Sequence, residues 1–113
     1  MKIQIHFRGF DGSSALREHI VNRFQTELGR LRSLVRSAVV IVADVNGPRG
    51  GSDKRCRVLL LGPEFGRTTA ADLSTDPQLA VDAAMARAAR GVSRRVERAR
   101  ARERLRAEPA WSM

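Results

Sequence analysis

The first part of the chain changes from a two-residue hydrophobic repeat to a repeat of three to four residues. From Lys2 to Arg8 every second residue is hydrophobic, which predicts a half-buried β-strand. Ser13 or Ser14 is expected to cap the helix that follows. This helix is predicted to be amphipathic and to end near Leu31. Its apolar residues recur at helical spacing, at Leu16, Ile20, Phe24, Leu28 and Leu31.

Three further strands are predicted in the middle of the chain. Ala38–Val45 is apolar on both faces almost to its end, as expected of an interior strand. The Gly-rich segment Asn46–Asp53 is predicted to be a flexible hairpin connection. Arg55–Leu61 is predicted to be a strand that alternates at first between basic and apolar residues, and Arg67–Leu73 is predicted to be a weaker fourth strand.

A long second helix is predicted from Asp76-Pro77, where a capping residue precedes one suited to the first helical turn. Pro109 is expected to end this helix. Asp72, Asp76 and Asp82 are spaced for capping and for favourable electrostatics at the helix start. The helix has an apolar face formed by Val81, Met85, Ala88, Val92, Val96 and Ala99.

The predicted order of elements is β-α-β-β-β-α, which indicates an α+β fold. Two helices are expected to pack on one face of a four-stranded sheet, as in double-stranded-RNA-binding domains. No internal repeat or second domain is evident. We therefore predict one domain over residues 1–106, followed by a flexible C-terminal tail over residues 107–113.

Positive charge is concentrated in the second helix. Between Arg87 and Arg106 there are nine arginines and two glutamates, a balance of +7 within a chain of net charge +9. Arg87, Arg90, Arg94 and Arg98 share the side of the helix opposite its apolar face. Like charges four residues apart repel, so an ordinary solvated surface is a poor explanation for this row. A polyanion, above all a nucleic acid, is the expected ligand.

Basic residues elsewhere have two interpretations. The arginines of the first helix are partly balanced by Glu18 and Glu27, which fits an ordinary surface. If both helices lie on one face of the sheet, however, their arginines could flank a single groove, which the hairpin residues would extend. The candidate RNA-binding residues are Arg17, Arg23, Arg30, Lys54, Arg55, Arg87, Arg90, Arg94, Arg95 and Arg98.

Catalysis and metal binding find no support in the sequence. His6 and His19 are far apart, Cys56 has no neighbouring histidine, and no metal-binding or phosphate-loop motif is present. We predict a non-enzymatic protein without cofactor, metal or small-molecule substrate. A single cysteine and the lack of a long apolar segment predict a cytoplasmic protein that does not enter a membrane.

Three stretches resemble the ribosome hibernation factors, the family of hibernation promoting factor and protein Y. They are the strand Lys2–Phe7, the helix opening Ser14–Arg23, and Asp76-x-x-x-Ala80-Val81-Asp82 before the basic helix. The resemblance implies the β-α-β-β-β-α fold and binding to the small ribosomal subunit in its tRNA and mRNA channel. Arg17, Arg23, Arg87, Arg90, Arg94 and Arg95 fall on basic positions of the family's two helices.

Four departures from the family pattern affect this interpretation. Gln78 stands where the family usually has tyrosine, and the basic helix uses arginine where relatives include lysine. The sequence shows neither the acidic tail nor the additional C-terminal domain of some relatives, so we expect a short form of the family. We therefore predict a translation inhibitor that is monomeric away from the ribosome and contacts rRNA phosphates. The alternatives are a general double-stranded RNA-binding protein and a basic adaptor for an acidic protein.

Overall fold

The computed structural model describes residues 2–45 and 53–107. The predicted order of elements is confirmed. The strands are β1 (Lys2–Arg8), β2 (Ser37–Asp44), β3 (Lys54–Gly62) and β4 (Gly66–Ser74), and the α-helices are α1 (Ser14–Leu28) and α2 (Pro77–Ala107).

The four strands form one sheet in the order β1-β2-β3-β4. β1 pairs with β2 in parallel, and the other pairs are antiparallel. A parallel pair needs a crossover, which α1 provides, whereas β2, β3 and β4 follow one another as hairpins. In the middle of the sheet Val40 lies beside Ile5 on one side and beside Val58 on the other.

Strand alternation divides the sheet into a helix face and an open face. Ala38, Val40 and Val42 of β2 point into the core, as do Cys56, Val58 and Leu60 of β3. Both helices contribute to the same cluster, so the prediction that they pack on one face is confirmed. The open face consists of the intervening residues: Lys2, Gln4, His6 and Arg8 of β1; Ser37, Val39, Ile41 and Ala43 of β2; Arg55, Arg57, Leu59 and Leu61 of β3; and Arg67, Thr69, Ala71 and Leu73 of β4.

Helix α1 begins as predicted and ends slightly earlier. The hydroxyl of Ser13 accepts a hydrogen bond from the backbone N–H of Leu16 at 3.0 Å, which caps the first turn. The α-helix ends at Leu28, and Gly29–Leu31 continues as a single 3₁₀ turn. The predicted end at Leu31 is therefore that of the 3₁₀ turn, a common way for a helix to tighten at its end.

Helix α2 is longer than the sheet it covers. The Asp76 carboxylate caps it by accepting a hydrogen bond from the Gln78 N–H at 2.9 Å. The last buried residue of the helix is Val96, so residues 97–107 extend beyond the core. Gly91 does not interrupt the helix, and an added Cβ there would lie 3.0 Å from Thr68 Cγ2. This glycine lets the helix axis approach β4 closely.

Two predicted segments lie partly or wholly outside the described residues. Most of the Asn46–Asp53 connection is outside them, and so are residues 108–113 of the predicted tail, whereas Ala107 still belongs to α2. No helix among the described residues combines the length and hydropathy needed to cross a bilayer. The single-domain assignment over residues 1–106 stays a prediction.

The close approach of the β3–β4 turn to the segment between the 3₁₀ turn and β2 requires a glycine. A Cβ added at Gly62 would overlap the Leu34 carbonyl oxygen and the Phe65 ring. A Cβ added at Gly29 would have no neighbouring atom of the described residues within 4 Å. We expect Gly62→Ala to lower the free energy of unfolding by about 3 kcal/mol. Its control, Gly29→Ala, should be neutral or stabilising by about 0.5 kcal/mol, because Gly29 is already helical. Urea denaturation followed by circular dichroism measures the free energy of unfolding of both variants. Equal values for the two variants would contradict the close approach at Gly62.

The single cysteine reports on the integrity of the core. Cys56 is fully buried, and this burial raises the pKa of its thiol from 9.0 to about 12. At pH 8 we expect a thiol reagent to modify the native protein at least about 100-fold more slowly than the unfolded chain. Because the folded-state pKa is raised, Cys56 should also stabilise the fold below pH 9 and lose this contribution as the pH rises toward 12. Rapid native labelling at pH 8 would contradict this burial.

Candidate nucleic-acid interface

The densest positive charge lies on the side of α2 that faces away from the core. The buried side of this helix is made of alanine, valine and methionine, so the long polar side chains are directed outward. All nine arginines of the helix are exposed: Arg87, Arg90, Arg94, Arg95, Arg98, Arg100, Arg102, Arg104 and Arg106.

Three of these arginines hold α2 against the edge of the sheet. Arg87 Nε lies 3.4 Å from Asp72 Oδ2, and its Nη1 donates to the Ala71 carbonyl at 3.5 Å. Arg95 Nη1 donates to the Phe65 carbonyl at 3.4 Å. Arg100 makes a two-pronged contact with a carboxylate in the β3–β4 turn, with both N–O distances 3.2 Å. These guanidinium groups already have partners within the protein.

The other six arginines of α2 remain available to a ligand, and three of them form a row beside the sheet. Arg90, Arg94 and Arg98 make no ion pair or side-chain hydrogen bond with any residue of 2–45 or 53–107. They are spaced four residues apart, so neighbouring members are separated by about 6 Å along the helix axis. The result is a row of exposed, uncompensated cations on a rigid element.

A shallow groove separates this row from the edge of the sheet. Arg90 and Arg94 line it on the α2 side together with Gly91, and Thr69–Ala71 line it on the β4 side. Its volume is about 390 Å³ and its lining is polar. Backbone groups of an edge strand and guanidinium groups thus face the same space, which suits a hydrated polyanion better than a compact apolar ligand.

The predicted site residue Arg23 is tied into a network between the helices. Its Nη2 donates to Glu27 Oε1 at 3.0 Å, and its Nε lies 3.0 Å from Asp82 Oδ1. His19 Nε2 lies 2.6 Å from the same Asp82 oxygen. Asp82 therefore joins α2 to two residues of α1, and the charge of Arg23 is balanced within the protein.

The other two predicted residues near α1 differ in their surroundings. Arg17 is exposed, and its guanidinium carbon lies 5.2 Å from the centre of the Phe7 ring, a cation–π contact that still leaves its N–H groups accessible. Arg30 is exposed in the 3₁₀ turn after α1. Both remain able to contact an anion.

The hairpin residues do not extend the arginine row of α2. Lys54 has only 14% of its side chain exposed, lies 3.9 Å from Asp44 Oδ2 and packs over the Phe10 ring at 5.2 Å. Arg55 lies on the open face of the sheet, because it pairs in register with Ala43 and Leu73. The expectation of one continuous surface through these residues and α2 was wrong, since strand alternation places Arg55 on the other face.

The partners of several arginines are not evident from the sequence. Asp72 and Asp82 were expected to support the helix start, but only Asp76 caps it, while Asp72 pairs with Arg87 and Asp82 pairs with α1. Arg100, which contacts the β3–β4 turn, was not singled out. These pairs join residues far apart in sequence, and no local pattern signals them.

The chemistry available at this surface is that of anion binding. No group of three or more potential metal ligands occurs in the described part of the chain. The cysteine thiol is buried and fully protonated near neutral pH, because burial raises its pKa to about 12. What the surface offers instead is a set of permanently charged guanidinium groups with planar, two-pronged donor geometry.

Comparisons with solved structures extend this description. A ribosomal subunit interface protein from Coxiella burnetii superposes with a TM-score of 0.66 at 24% identity, covering 83% of this chain and 96% of that one. The N-terminal domain of Protein Y from Thermus thermophilus gives a TM-score of 0.67 at 18% identity, covering 83% and 98%. At these identities the likeness establishes the fold. Comparison with curated protein sequences gave no significant match.

A family model supplies the evidence at the level of sequence. The model of the family described as Sigma 54 modulation protein / S30EA ribosomal protein matches residues 3–100, from the first strand to beyond the last buried residue of α2. The match therefore includes α1, all of the sheet except Lys2, and α2 as far as Arg100 with the arginine row Arg90, Arg94 and Arg98. The chain belongs to the Sigma 54 modulation protein / S30EA ribosomal protein family.

Proposed function

We propose that this protein is a hibernation factor that binds the small ribosomal subunit and silences translation. The observation that carries the proposal is the row Arg90, Arg94 and Arg98, which is exposed and has no partner among residues 2–45 and 53–107, on a helix held rigidly by its other face. The family, and the names of the similar structures from Coxiella burnetii and Thermus thermophilus, support a ribosomal partner. The protein would act in the cytoplasm, without catalysis.

The proposed mechanism is occupation of the tRNA and mRNA channel. Guanidinium groups bind phosphate oxygens with two parallel hydrogen bonds, so a row of them can follow an rRNA backbone. Recognition would depend mainly on shape, because the base edges of A-form RNA lie in a deep, narrow major groove. A rigid domain bound there excludes tRNA and mRNA by its volume alone.

We infer that some basic residues stabilise the fold and that others contact phosphate. Arg87, Arg95 and Arg100 hold the helix on the sheet, and Arg23 holds the two helices together. Arg90, Arg94 and Arg98 would supply the principal phosphate contacts, supplemented by Arg17 and Arg30. Loss of the first group should therefore affect stability, and loss of the second should affect binding.

The salt dependence of ribosome binding tests the arginine row directly. With about six phosphate contacts, the log–log slope against salt should be roughly −4 to −5. We expect the triple variant Arg90→Ala, Arg94→Ala and Arg98→Ala to reduce the magnitude of this slope by about 2–3 without loss of thermal stability. Binding is measured by co-sedimentation with small subunits over a range of salt concentrations.

A matched control removes the same charge from the other face. The triple variant Arg55→Ala, Arg57→Ala and Arg67→Ala lowers the net charge equally but changes only the open face. Its slope should stay close to that of the unmodified protein. If both triple variants reduced the magnitude of the salt slope equally, net charge and not the arginine row of α2 would govern binding.

Competition with tRNA tests the proposed location. We expect stoichiometric binding to small subunits and whole ribosomes on sucrose gradients, and displacement when tRNA is added in excess. Free double-stranded RNA of the same concentration should compete poorly. If duplex RNA binds as tightly as ribosomes do, the protein is instead a general double-stranded RNA binder. Binding that survives ribonuclease would indicate a protein partner of the basic helix.

A further inference from the structure

The open face of the sheet has a charge distribution unlike that of the rest of the protein. It carries basic side chains on three of its four strands: Lys2, Arg8, Arg55, Arg57 and Arg67, with His6 beside them. No acidic residue of the four strands lies on it. The only acidic residues within the four strands are Asp44 and Asp72, and strand alternation places both on the helix face.

Aliphatic side chains occupy the middle of the same face. Val39 and Leu59 are directly opposite each other on β2 and β3, with Ile41 and Leu61 next along their strands. Leu61 is 48% exposed, and Val39, Ile41 and Leu59 are half-buried without joining the hydrophobic core. These residues form an apolar centre that lies outside the hydrophobic core.

The register places this apolar centre between two basic ends. At one end Arg55 and Arg57 of β3 lie across from Ala43 and Ile41, whose other neighbours are Arg8 and His6 of β1. At the other end Lys2 and Arg67 lie in the row that contains Ser37 and Leu61. An apolar centre within a charged rim is the usual arrangement of a protein–protein contact surface.

We propose that the open face docks a protein segment that presents aliphatic side chains flanked by aspartate or glutamate. Such a segment would cover the Val39–Leu59 centre and pair its carboxylates with the arginines at the rim. A nucleic acid fits less well, because the described open face has no aromatic side chain on which a base could stack. A second copy of this chain would place two acid-free basic faces against each other.

This proposal does not depend on the proposed ribosomal function. The open face and the α2 arginine row lie on different faces of the sheet, so one protein molecule can hold an acidic protein and an RNA at the same time. Binding at one surface can also be lost without loss at the other, because a variant of Arg57 changes the open face and a variant of Arg90 changes the arginine row of α2.

The test uses labelled synthetic peptides with the full-length protein. The probe is a strand-length peptide of alternating glutamate and valine, and its partner probe replaces valine with serine. We expect fluorescence anisotropy to show at least about tenfold tighter binding of the glutamate–valine peptide, because only that peptide covers the apolar centre. The double variant Arg55→Glu and Arg57→Glu should weaken this binding at least about tenfold.

Matched variants test whether peptide binding depends specifically on the open face. Arg90→Glu with Arg94→Glu changes the net charge equally and should alter peptide binding less than about threefold. Leu61→Thr replaces an exposed aliphatic side chain with a more polar, β-branched residue that suits a strand, and it should reduce the preference for the valine peptide. If the double charge reversal unfolds the protein, Arg57→Ala and Leu61→Thr provide the same test.

Four outcomes of the experiments with peptides and RNA would overturn the proposal. They are absence of peptide binding, equal binding of the serine peptide, equal weakening by both double charge reversals, and RNA-induced shifts in the methyl resonances of Val39, Ile41, Leu59 and Leu61. Concentration-dependent self-association that Leu61→Thr abolishes would assign the face to a second copy and would also overturn it. Loss of ribosome binding alone, with peptide binding retained, would contradict only the proposed function.

Discussion

The packing of α2 on the sheet is the interaction on which the rest of the structure depends. A helix with nine arginines carries like charges on neighbouring turns, which lowers its intrinsic stability. Burial of its other side compensates for this cost. Ala80, Ala84 and Ala88 let the helix lie close to the sheet, while larger residues supply most of the buried apolar area, with each fully buried side chain contributing roughly 1.5–3 kcal/mol. Val81, Met85 and Val92 are fully buried.

Once α2 is held in this position, its surroundings determine what each arginine can do. Arg87 and Arg95 reach backbone carbonyls of the β4 edge and the β3–β4 turn, and so protect polar groups that an edge strand leaves unpaired. Asp82 meanwhile joins the two helices through His19 and Arg23. The remaining arginines of α2 have no internal partner among the described residues. They determine the electrostatic field that an approaching polyanion meets.

Local periodicity predicted the elements, but it could not predict the partners of individual charges. The alternation of Lys2–Arg8 and the helical spacing from Leu16 depend only on nearby residues, so the order of elements was correct. The pairing of Arg23 with Asp82 joins residues whose distance depends on how α1 crosses α2. Likewise, the position of Arg55 on the open face follows from the register of β3, and a shift of one residue would have placed it on the helix face. The sequence therefore indicated where positive charge accumulates and not which charges are neutralised.

The projection of α2 beyond Val96 gives one helix two regimes of local stability. Up to Val96 its backbone hydrogen bonds can open only if packing with the sheet is also lost, so amide hydrogens there should exchange with solvent at rates set by global unfolding. Beyond Val96 the main described tertiary contact is that of Arg100 with Glu64, and opening there costs only local helix structure. Amide protection should therefore fall along the last turns, and a bound polyanion that neutralises their arginines would extend the protected region toward Ala107.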